Sequence, residues 1–343
     1  MLKMKIMYVD LQFDYGIESR GKNYIGLDGF KASMEALGHQ VVPFFYDQYL
    51  NDLRKLQIDI LDFSQHCQPD LIFFCLFQNQ FEHQTLRTLK SQFKTMNWFG
   101  DDQWRFDSFS RYYANDFSYC ITTDQFSVNK YHAIGQNNVI YSQWAAIDSH
   151  LDFPNVNKSG EVEEYLYDVS FVGGYHPYRQ WFIRELEKKD IKVAVYGNGW
   201  PNGALKAEDM IDLFKQSKIN LNLSNSVSWD LRYMFSNPRS FFSLGRMFLG
   251  KGIKNASQIK ARNFEIPFFG GFQLTEYVPS LENYFDIGKE VICYVTPDDA
   301  STQIQYYLEN DVQREKIKLS GVTVARNEHG YINRFKNIFE GIL

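Results

Sequence analysis

The fold is indicated by an alternation of short apolar segments and amphipathic stretches near the amino terminus. The segments KIMYVD (5–10), HQVVPFFY (39–46) and DLIFFCLF (70–77) are separated by amphipathic stretches at 22–37 and 50–66. Strands that alternate with helix-length stretches are typical of βαβ units, whose strands run parallel. About six strand segments can be counted before residue 150, which predicts a doubly wound parallel sheet.

The alternation restarts at DVSFVGG (168–174), after residues 151–167, which mix Pro, Gly, Asn and acidic residues without a period. We predict an α/β protein with an N-terminal Rossmann-like domain at 1–150, a linker at 151–167 and a C-terminal Rossmann-like domain at 168–327.

The last segment, residues 328–343, has the pattern of an amphipathic helix. One face of this predicted helix carries Ile332, Phe335, Phe339 and Ile342. We expect this helix to close back toward the first domain.

Composition narrows the class of protein. The 343 residues suffice for two domains, and 44% hydrophobic with 22% charged residues excludes intrinsic disorder for most of the chain. The net charge of −5 argues against a large nucleic-acid surface. The sequence shows neither the apolar h-region of a secretory signal peptide nor a run of about 18 apolar residues, so export and a membrane-spanning helix are not expected. The four cysteines form no C-x-x-C pair, and we expect them to be reduced thiols of a cytoplasmic protein.

The most informative motif is KARNFEIPFFGGFQLTE at 260–276, followed by LENYFDIGKEVICYV at 281–295. Together with SFVGG and an arginine at 170–179, YGNGW at 196–200 and INLNLS at 219–224, it resembles the carboxyl-terminal domain of CgeB-like glycosyltransferases, a branch of the group-1 transferases. The resemblance covers residues 165–343. It implies a GT-B fold, in which two Rossmann-like domains face a central cleft, and an enzyme that transfers a sugar from a nucleotide-diphosphate sugar to an acceptor.

Basic residues in the 260–276 motif suit a diphosphate. Lys260 and Arg262 lie at the start of a predicted helix, where their charge and the helix dipole act together on an anion. The resemblance implies that Glu265 accepts hydrogen bonds from the nucleotide ribose. The earlier glutamate of the family pattern would fall at Ser257, so that half of the pattern is absent.

Glycines in the same motif allow two interpretations. Gly270 and Gly271 let a backbone approach a donor closely, or they form a tight turn from helix to strand.

The segment after the strand at 168–172 supplies further donor-binding candidates. Gly173 and Gly174 permit close backbone approach, and Arg179 can reach a phosphate from the start of a helix, although a surface arginine fits equally well. His176 in this turn and Asn198, between two glycines at another strand end, are weaker candidates for contacts with the donor.

In the first domain, NWFGDDQW (97–104) places two carboxylates after a strand and between two indoles. Trp98 and Trp104 are candidates for acceptor binding through their ring faces. Asp101 or Asp102 is a candidate general base. The alternatives are an N-cap, for Asp102 especially, or a solvated loop.

The insertion at 232–257 combines basic residues with Phe, Met and Leu. Its preferred interpretation is a pair of helices packed on the second domain; peripheral contact with anionic lipid is the alternative.

No cofactor is expected, and no metal-binding histidine or cysteine motif is present. The resemblance implies retention of the anomeric configuration and no metal requirement, whereas the absent glutamate and the candidate base keep inversion open. The acceptor class stays open. The rival functions are a sugar-nucleotide epimerase, a two-lobed ligand-binding protein without chemistry, and a transferase that modifies nucleic acid.

Overall fold

The computed structural model describes residues 3–149, 165–224, 230–236 and 257–342. The chain divides into two compact units, one formed by Met1–Leu151 with Tyr331–Leu343 and the other by Asp152–Gly330. Each unit contains one parallel sheet. The predicted linker lies mostly outside the described residues, apart from Tyr165–Tyr167.

The first unit has a six-stranded sheet in the order β2-β1-β3-β4-β5-β6. Its strands are β1 Lys5–Asp10, β2 Gln40–Phe45, β3 Leu71–Phe74, β4 Lys94–Phe99, β5 Tyr119–Thr122 and β6 Val139–Tyr141. The middle strands are apolar throughout because helices cover both faces of the sheet, and all four residues of β3 are buried. The predicted doubly wound sheet is therefore confirmed.

The helices of this unit follow its strands. They are α1 Ala32–Ala36 after the π-helix Ile25–Lys31, α2 Leu53–Cys67, α3 His83–Gln92, α4 Asp102–Arg105, α5 Arg111–Tyr113 and α6 Val128–Ala133. In α2, the Asp52 side chain caps the amino end by accepting a hydrogen bond from the Lys55 N–H.

The second unit has a five-stranded parallel sheet in the order β11-β10-β9-β7-β8. Its strands are β7 Tyr167–Val172, β8 Val193–Tyr196, β9 Ser217–Asn222, β10 Gln273–Glu276 and β11 Ile292–Tyr294. Its described helices are α7 Pro177–Glu187, α8 Ala207–Gln216, α9 Leu231–Ser236, α10 Arg262–Phe268, α11 Pro297–Glu309 and α12 Asp311–Glu328.

Two helices differ from the sequence pattern, which predicts helices over 257–267 and 298–327. The helix expected over 257–267 starts only at Arg262, because the Asn263 side chain accepts a hydrogen bond from the Lys260 N–H instead of leaving it to a helical turn. The stretch 298–327 is broken at Asn310, whose φ of −116° and ψ of 64° are not helical.

The closing helix, α13 Tyr331–Glu340, packs in the first unit as predicted. Phe335 and Phe339 are fully buried, with Phe335 against Phe30 at 5.2 Å between ring centroids. Each such burial stabilises by about 1.5–3 kcal/mol. The Asp148 carboxylate accepts a hydrogen bond from the Ile332 N–H at 3.2 Å and so anchors the start of the helix.

Candidate functional site

The candidate site of the second unit lies where its strand order reverses. From β7 the chain crosses to β8 on one side, and then to β9 on the other side of β7. Ligands of open parallel sheets bind in the crevice that this reversal opens outside the carboxyl ends of the strands. The loop after β7 begins at Gly173 and the loop after β9 begins at Leu223, so these two loops flank the crevice.

Arg179 joins the two loops of the crevice. Its Nη1 donates to the Gly174 carbonyl at 2.8 Å, and its Nη2 donates to the Leu223 carbonyl at 3.1 Å. Its Nε is buried without a hydrogen-bond partner. No carboxylate of the described residues forms an ion pair with it; its two hydrogen bonds go to carbonyl oxygens, and the Phe171 ring centroid lies 5.7 Å from its Cζ.

Burial lowers the pKa of Arg179. The charge of Arg262 also lowers this pKa, while Tyr294 and Glu276 act in the opposite direction. Because Arg179 has no ion-pair partner among the described residues, its positive charge can attract a negatively charged ligand.

Arg262 is the first residue of α10, and its Nη1 lies 2.8 Å from the Glu265 carboxylate. Glu265 is only 4% exposed, so this ion pair is partly shielded from water. Lys260 is half-buried two residues before the helix. The predicted contribution of the helix dipole is weak because α10 has only seven residues and no capping side chain.

A buried polar network that the sequence did not single out holds α10 against the sheet. Asn222 Nδ2 and Asn263 Nδ2 both donate to Thr275 Oγ1, at 3.1 Å and 3.0 Å. The Ser224 hydroxyl lies 3.4 Å from Asn263 Oδ1. The polar residues inside the apolar segment INLNLS could have indicated this network, because polar groups inside a buried strand need hydrogen-bond partners.

The loops after β7 and β8 pack closely through glycine. A Cβ at Gly197 would lie 2.1 Å from the Gly173 carbonyl oxygen, so only glycine fits there. The Tyr175 N–H donates to the Asn198 carbonyl at 2.7 Å. The Asn198 side chain is exposed beside these contacts, and Gly174 has open space around it.

His176 has a local role. Its Nδ1 accepts a hydrogen bond from the Tyr178 N–H at 3.3 Å and caps the amino end of α7. This contact fixes the helix that carries Arg179. The structure therefore supports a positioning role for His176 and gives no evidence for the predicted contact with the donor.

Gly270 and Gly271 lie just before the amino-terminal end of β10, opposite to the carboxyl ends of the strands. Gly270 has a φ of 98°, in the left-handed region that favours glycine, and ends α10. A Cβ at Gly271 would lie 2.6 Å from Asn220 Nδ2. The two glycines therefore form the tight helix-to-strand turn, which is the alternative interpretation, and their contact with the donor stays a prediction.

In the first unit, the two indoles of the 97–104 segment differ in burial. Trp98 is 4% exposed and packs against Phe30 at 4.7 Å and Trp144 at 5.6 Å between ring centroids. Its predicted role in acceptor binding is not supported, because the ring belongs to the core. Trp104 is half-buried, with its indole nitrogen enclosed.

The neighbouring carboxylates Asp101 and Asp102 differ in environment. Asp102 is 1% exposed, and its Oδ2 accepts hydrogen bonds from Thr122 Oγ1 at 2.6 Å and Tyr131 Oη at 2.8 Å. Burial raises its pKa to about 6. Of the two candidate general bases, Asp102 is therefore enclosed, whereas Asp101 is half-buried at the start of α4.

Replacement of Asp102 with alanine is expected to destabilise the fold by about 1–3 kcal/mol, because the Thr122 and Tyr131 hydroxyls lose their acceptor in a buried site. Urea unfolding of the purified variant measures this loss. Asp107→Ala is the matched control, because this nearby carboxylate is 74% exposed and pairs with Arg111 only at 3.6 Å; it should unfold within about 0.5 kcal/mol of wild type. Equal stability of both variants would contradict the structural role of Asp102.

Among residues 3–149, 165–224, 230–236 and 257–342, no cluster of three or more metal-ligating side chains is found. No helix in this part of the chain is long and apolar enough to cross a membrane. Most of the predicted insertion, residues 237–256, lies outside the described residues.

The comparisons with known proteins agree on the fold. Residues 179–340 match the family model described as "Glycosyl transferase-like". Sucrose-phosphate synthase from Thermosynechococcus elongatus is similar in structure, with a TM-score of 0.63 and 9% identity over 98% of each chain. Anabaena HepE in complex with UDP has a TM-score of 0.58 and 12% identity over 99% of this chain and 100% of HepE.

A putative UDP-N-acetylglucosamine 2-epimerase from Listeria monocytogenes is also similar, with a TM-score of 0.53 and 11% identity over 99% of this chain and 97% of that chain. No curated protein matches in sequence. At these identities the likeness establishes the fold, and with the two parallel sheets it confirms the predicted GT-B fold.

Proposed function

We propose that the chain is a glycosyltransferase that moves a sugar from a nucleoside-diphosphate sugar to an acceptor, and that the second unit binds the donor. The observation that carries this proposal is Arg179, a guanidinium at the switch point of the sheet that no described carboxylate pairs with. A diphosphate supplies the missing negative charge and accepts hydrogen bonds in planar pairs.

Catalysis would then rest on charge stabilisation. When the glycosidic bond to the donor phosphate breaks, negative charge builds up on the departing diphosphate, and fixed cations near it lower the barrier. Arg179 is held by two loop carbonyls and Arg262 by Glu265, so both cations are positioned before the donor arrives. No covalent nucleophile or metal is part of this proposal.

The resemblance to group-1 transferases extends the proposal to the ribose contact, the stereochemistry and the donor. We propose that Glu265 accepts hydrogen bonds from the ribose and that the reaction retains the anomeric configuration. The family match and the UDP complex of HepE support a nucleotide donor. We also propose a cytoplasmic location, which the four unpaired cysteines support.

The epimerase is the second candidate, favoured by the likeness to the putative Listeria epimerase. The two functions differ in their need for an acceptor. Turnover of a donor to a new sugar nucleotide without an acceptor would establish the epimerase.

Thermal unfolding with UDP-, GDP-, dTDP-, ADP- and CMP-linked sugars tests the proposed function. A donor at about 100 times its Kd stabilises the native state by about 2.7 kcal/mol, so one nucleotide class is expected to raise the unfolding temperature. Glu265→Gln should weaken ribonucleotides about tenfold and spare their 2′-deoxy analogues, because it removes a charged acceptor of the ribose hydroxyls. No shift with any nucleotide would contradict the proposal.

A further inference from the structure

The loop after β8, residues 197–204, contains two pairs of asparagine and glycine. Asn198 is followed by Gly199, and Asn202 is followed by Gly203. Asparagine before glycine is prone to lose its side-chain amide, because glycine has no Cβ to keep its nitrogen away from the asparagine side chain.

The reaction needs only water. The backbone nitrogen of the glycine attacks the asparagine Cγ and forms a five-membered succinimide ring, and the side-chain NH2 group leaves as ammonia with the proton of the attacking N–H. Water then opens the ring at one of its two carbonyls. The product is aspartate or isoaspartate, and both carry a new carboxylate.

The turn around Asn198 leaves both reacting groups accessible. Asn198 and Gly199 are its central residues, and the Trp200 N–H closes it by donating to the Gly197 carbonyl at 3.1 Å. Gly199 has a φ of 84°, which is typical of the third residue of a type II turn. The N–H of that residue takes no part in the turn, and no described residue accepts a hydrogen bond from it. The Asn198 side chain is exposed.

The second pair lies in a turn that holds both of its reacting groups. The Gly203 N–H is itself the donor that closes this turn, to the Trp200 carbonyl at 3.0 Å. The Asn202 side-chain amide donates through Nδ2 to the Val195 carbonyl at 3.0 Å. Both hydrogen bonds must open before Asn202 can react, so the fold protects this residue.

Asn198 is connected to the donor crevice through a single peptide group. The Tyr175 N–H donates to the Asn198 carbonyl at 2.7 Å. The carbonyl of the same peptide group, that of Gly174, accepts a hydrogen bond from Arg179 Nη1 at 2.8 Å. The contact is tight, because a Cβ at Gly199 would lie 2.8 Å from the Tyr175 Cβ.

Conversion of Asn198 would act on this contact in two ways. Isoaspartate lengthens the main chain by one methylene group between residues 198 and 199, for which the tight turn has no room. Both products also add a negative charge beside the crevice, which opposes an anionic ligand.

We propose that Asn198 is a site of spontaneous conversion to aspartate and isoaspartate, that the fold protects Asn202, and that the conversion weakens binding of a nucleoside-diphosphate donor. The chemistry at Asn198 is independent of the proposed function. Its effect on the donor rests on that function.

Peptide mapping of the full chain after incubation at mildly alkaline pH tests the site. Trypsin releases residues 193–206 as one peptide that contains both asparagines, and fragment masses assign the gain of one mass unit to either residue. In the folded chain, Asn198 is expected to convert about tenfold or more faster than Asn202. In urea the two rates should become similar. Equal rates in the folded chain, or an unchanged Asn198 when the urea sample has converted, would overturn the proposal.

Calorimetric titration of the same samples with UDP, GDP and ADP tests the effect on the donor. Wild type should lose affinity for the nucleotide that it binds in proportion to the fraction converted at residue 198. Asn198→Gln is the matched control, because glutamine would have to form a six-membered ring and reacts more slowly; it should keep the affinity of its own fresh sample.

The outcomes separate the two proposals. Full affinity in extensively converted protein would overturn the effect on the donor. No binding to fresh wild type would overturn the proposed function and this effect with it, whereas conversion at Asn198 would still be decided by the peptide map.

Discussion

Arg179→Gln is expected to lower kcat/KM for sugar transfer by about 10²- to 10³-fold, the loss typical when one donor to a developing negative charge is removed. Glutamine can replace one of the two hydrogen bonds that Arg179 makes to the Gly174 and Leu223 carbonyls, but it carries no charge. Steady-state kinetics with a radiolabelled donor sugar measure the effect. Calorimetric titration should show weaker binding of the nucleoside diphosphate and unchanged binding of the free nucleoside.

The control for Arg179→Gln is Arg184→Gln, which removes an exposed guanidinium from the same helix, α7. This control should retain wild-type kinetics. Thermal unfolding of both variants separates a loss of charge from a loss of fold. Wild-type kinetics in a folded Arg179→Gln protein would contradict the assignment of Arg179 to the donor phosphates.

Asp10→Asn is expected to remove much of the pH dependence of stability between pH 5 and pH 8. Burial raises the pKa of Asp10 from 3.8 to about 7, although hydrogen bonds from Tyr8, Leu11 and Asn23 act in the opposite direction. The native state therefore binds this proton more tightly than the unfolded state does. The resulting stabilisation is fully present below about pH 4 and is lost as the pH rises through about 7, so wild type should lose about 3 kcal/mol from this group between pH 5 and 8.

The hydrogen bonds from Leu11 and Tyr8 permit the substitution, while Asn23 Nδ2 loses its bond to the replaced oxygen and keeps its bond to the Leu11 carbonyl. The Tyr8 hydroxyl also lies 2.9 Å from the Gly26 carbonyl, so it can donate there and accept a hydrogen bond from the new amide. Urea unfolding at several pH values measures how the free energy of unfolding changes with pH. Asp14→Asn removes an exposed carboxylate four residues after Asp10 and controls for the loss of one negative charge. A slope in Asp10→Asn equal to that of wild type would contradict the raised pKa.

The fold could be predicted from the sequence because both sheets are parallel and covered by helices. Segments such as DLIFFCLF are then apolar without alternation, and their spacing shows the helices between them. The break at Asn310 was not visible, since one residue with non-helical angles does not disturb the apolar period on either side of it.

The candidate site could be predicted only in part. The motif after β7 indicated Arg179, but the hydrogen bond from Arg179 to the Leu223 carbonyl joins segments 44 residues apart. The adjacent carboxylates of Asp101 and Asp102 look equivalent in sequence. What encloses Asp102 is Thr122 and Tyr131, which are brought to it by the sheet and by α6. Long-range contacts of this kind depend on tertiary packing and have no local signal.

Calorimetric titration of the full chain with nucleoside diphosphates and the matching monophosphates tests the central claim most directly. One nucleoside diphosphate is expected to bind about tenfold or more tightly than its monophosphate, because the second phosphate brings further negative charge to the Arg179 guanidinium. The difference should shrink as the salt concentration rises. Equal binding of diphosphate and monophosphate, or no binding of either, would contradict a donor site at Arg179.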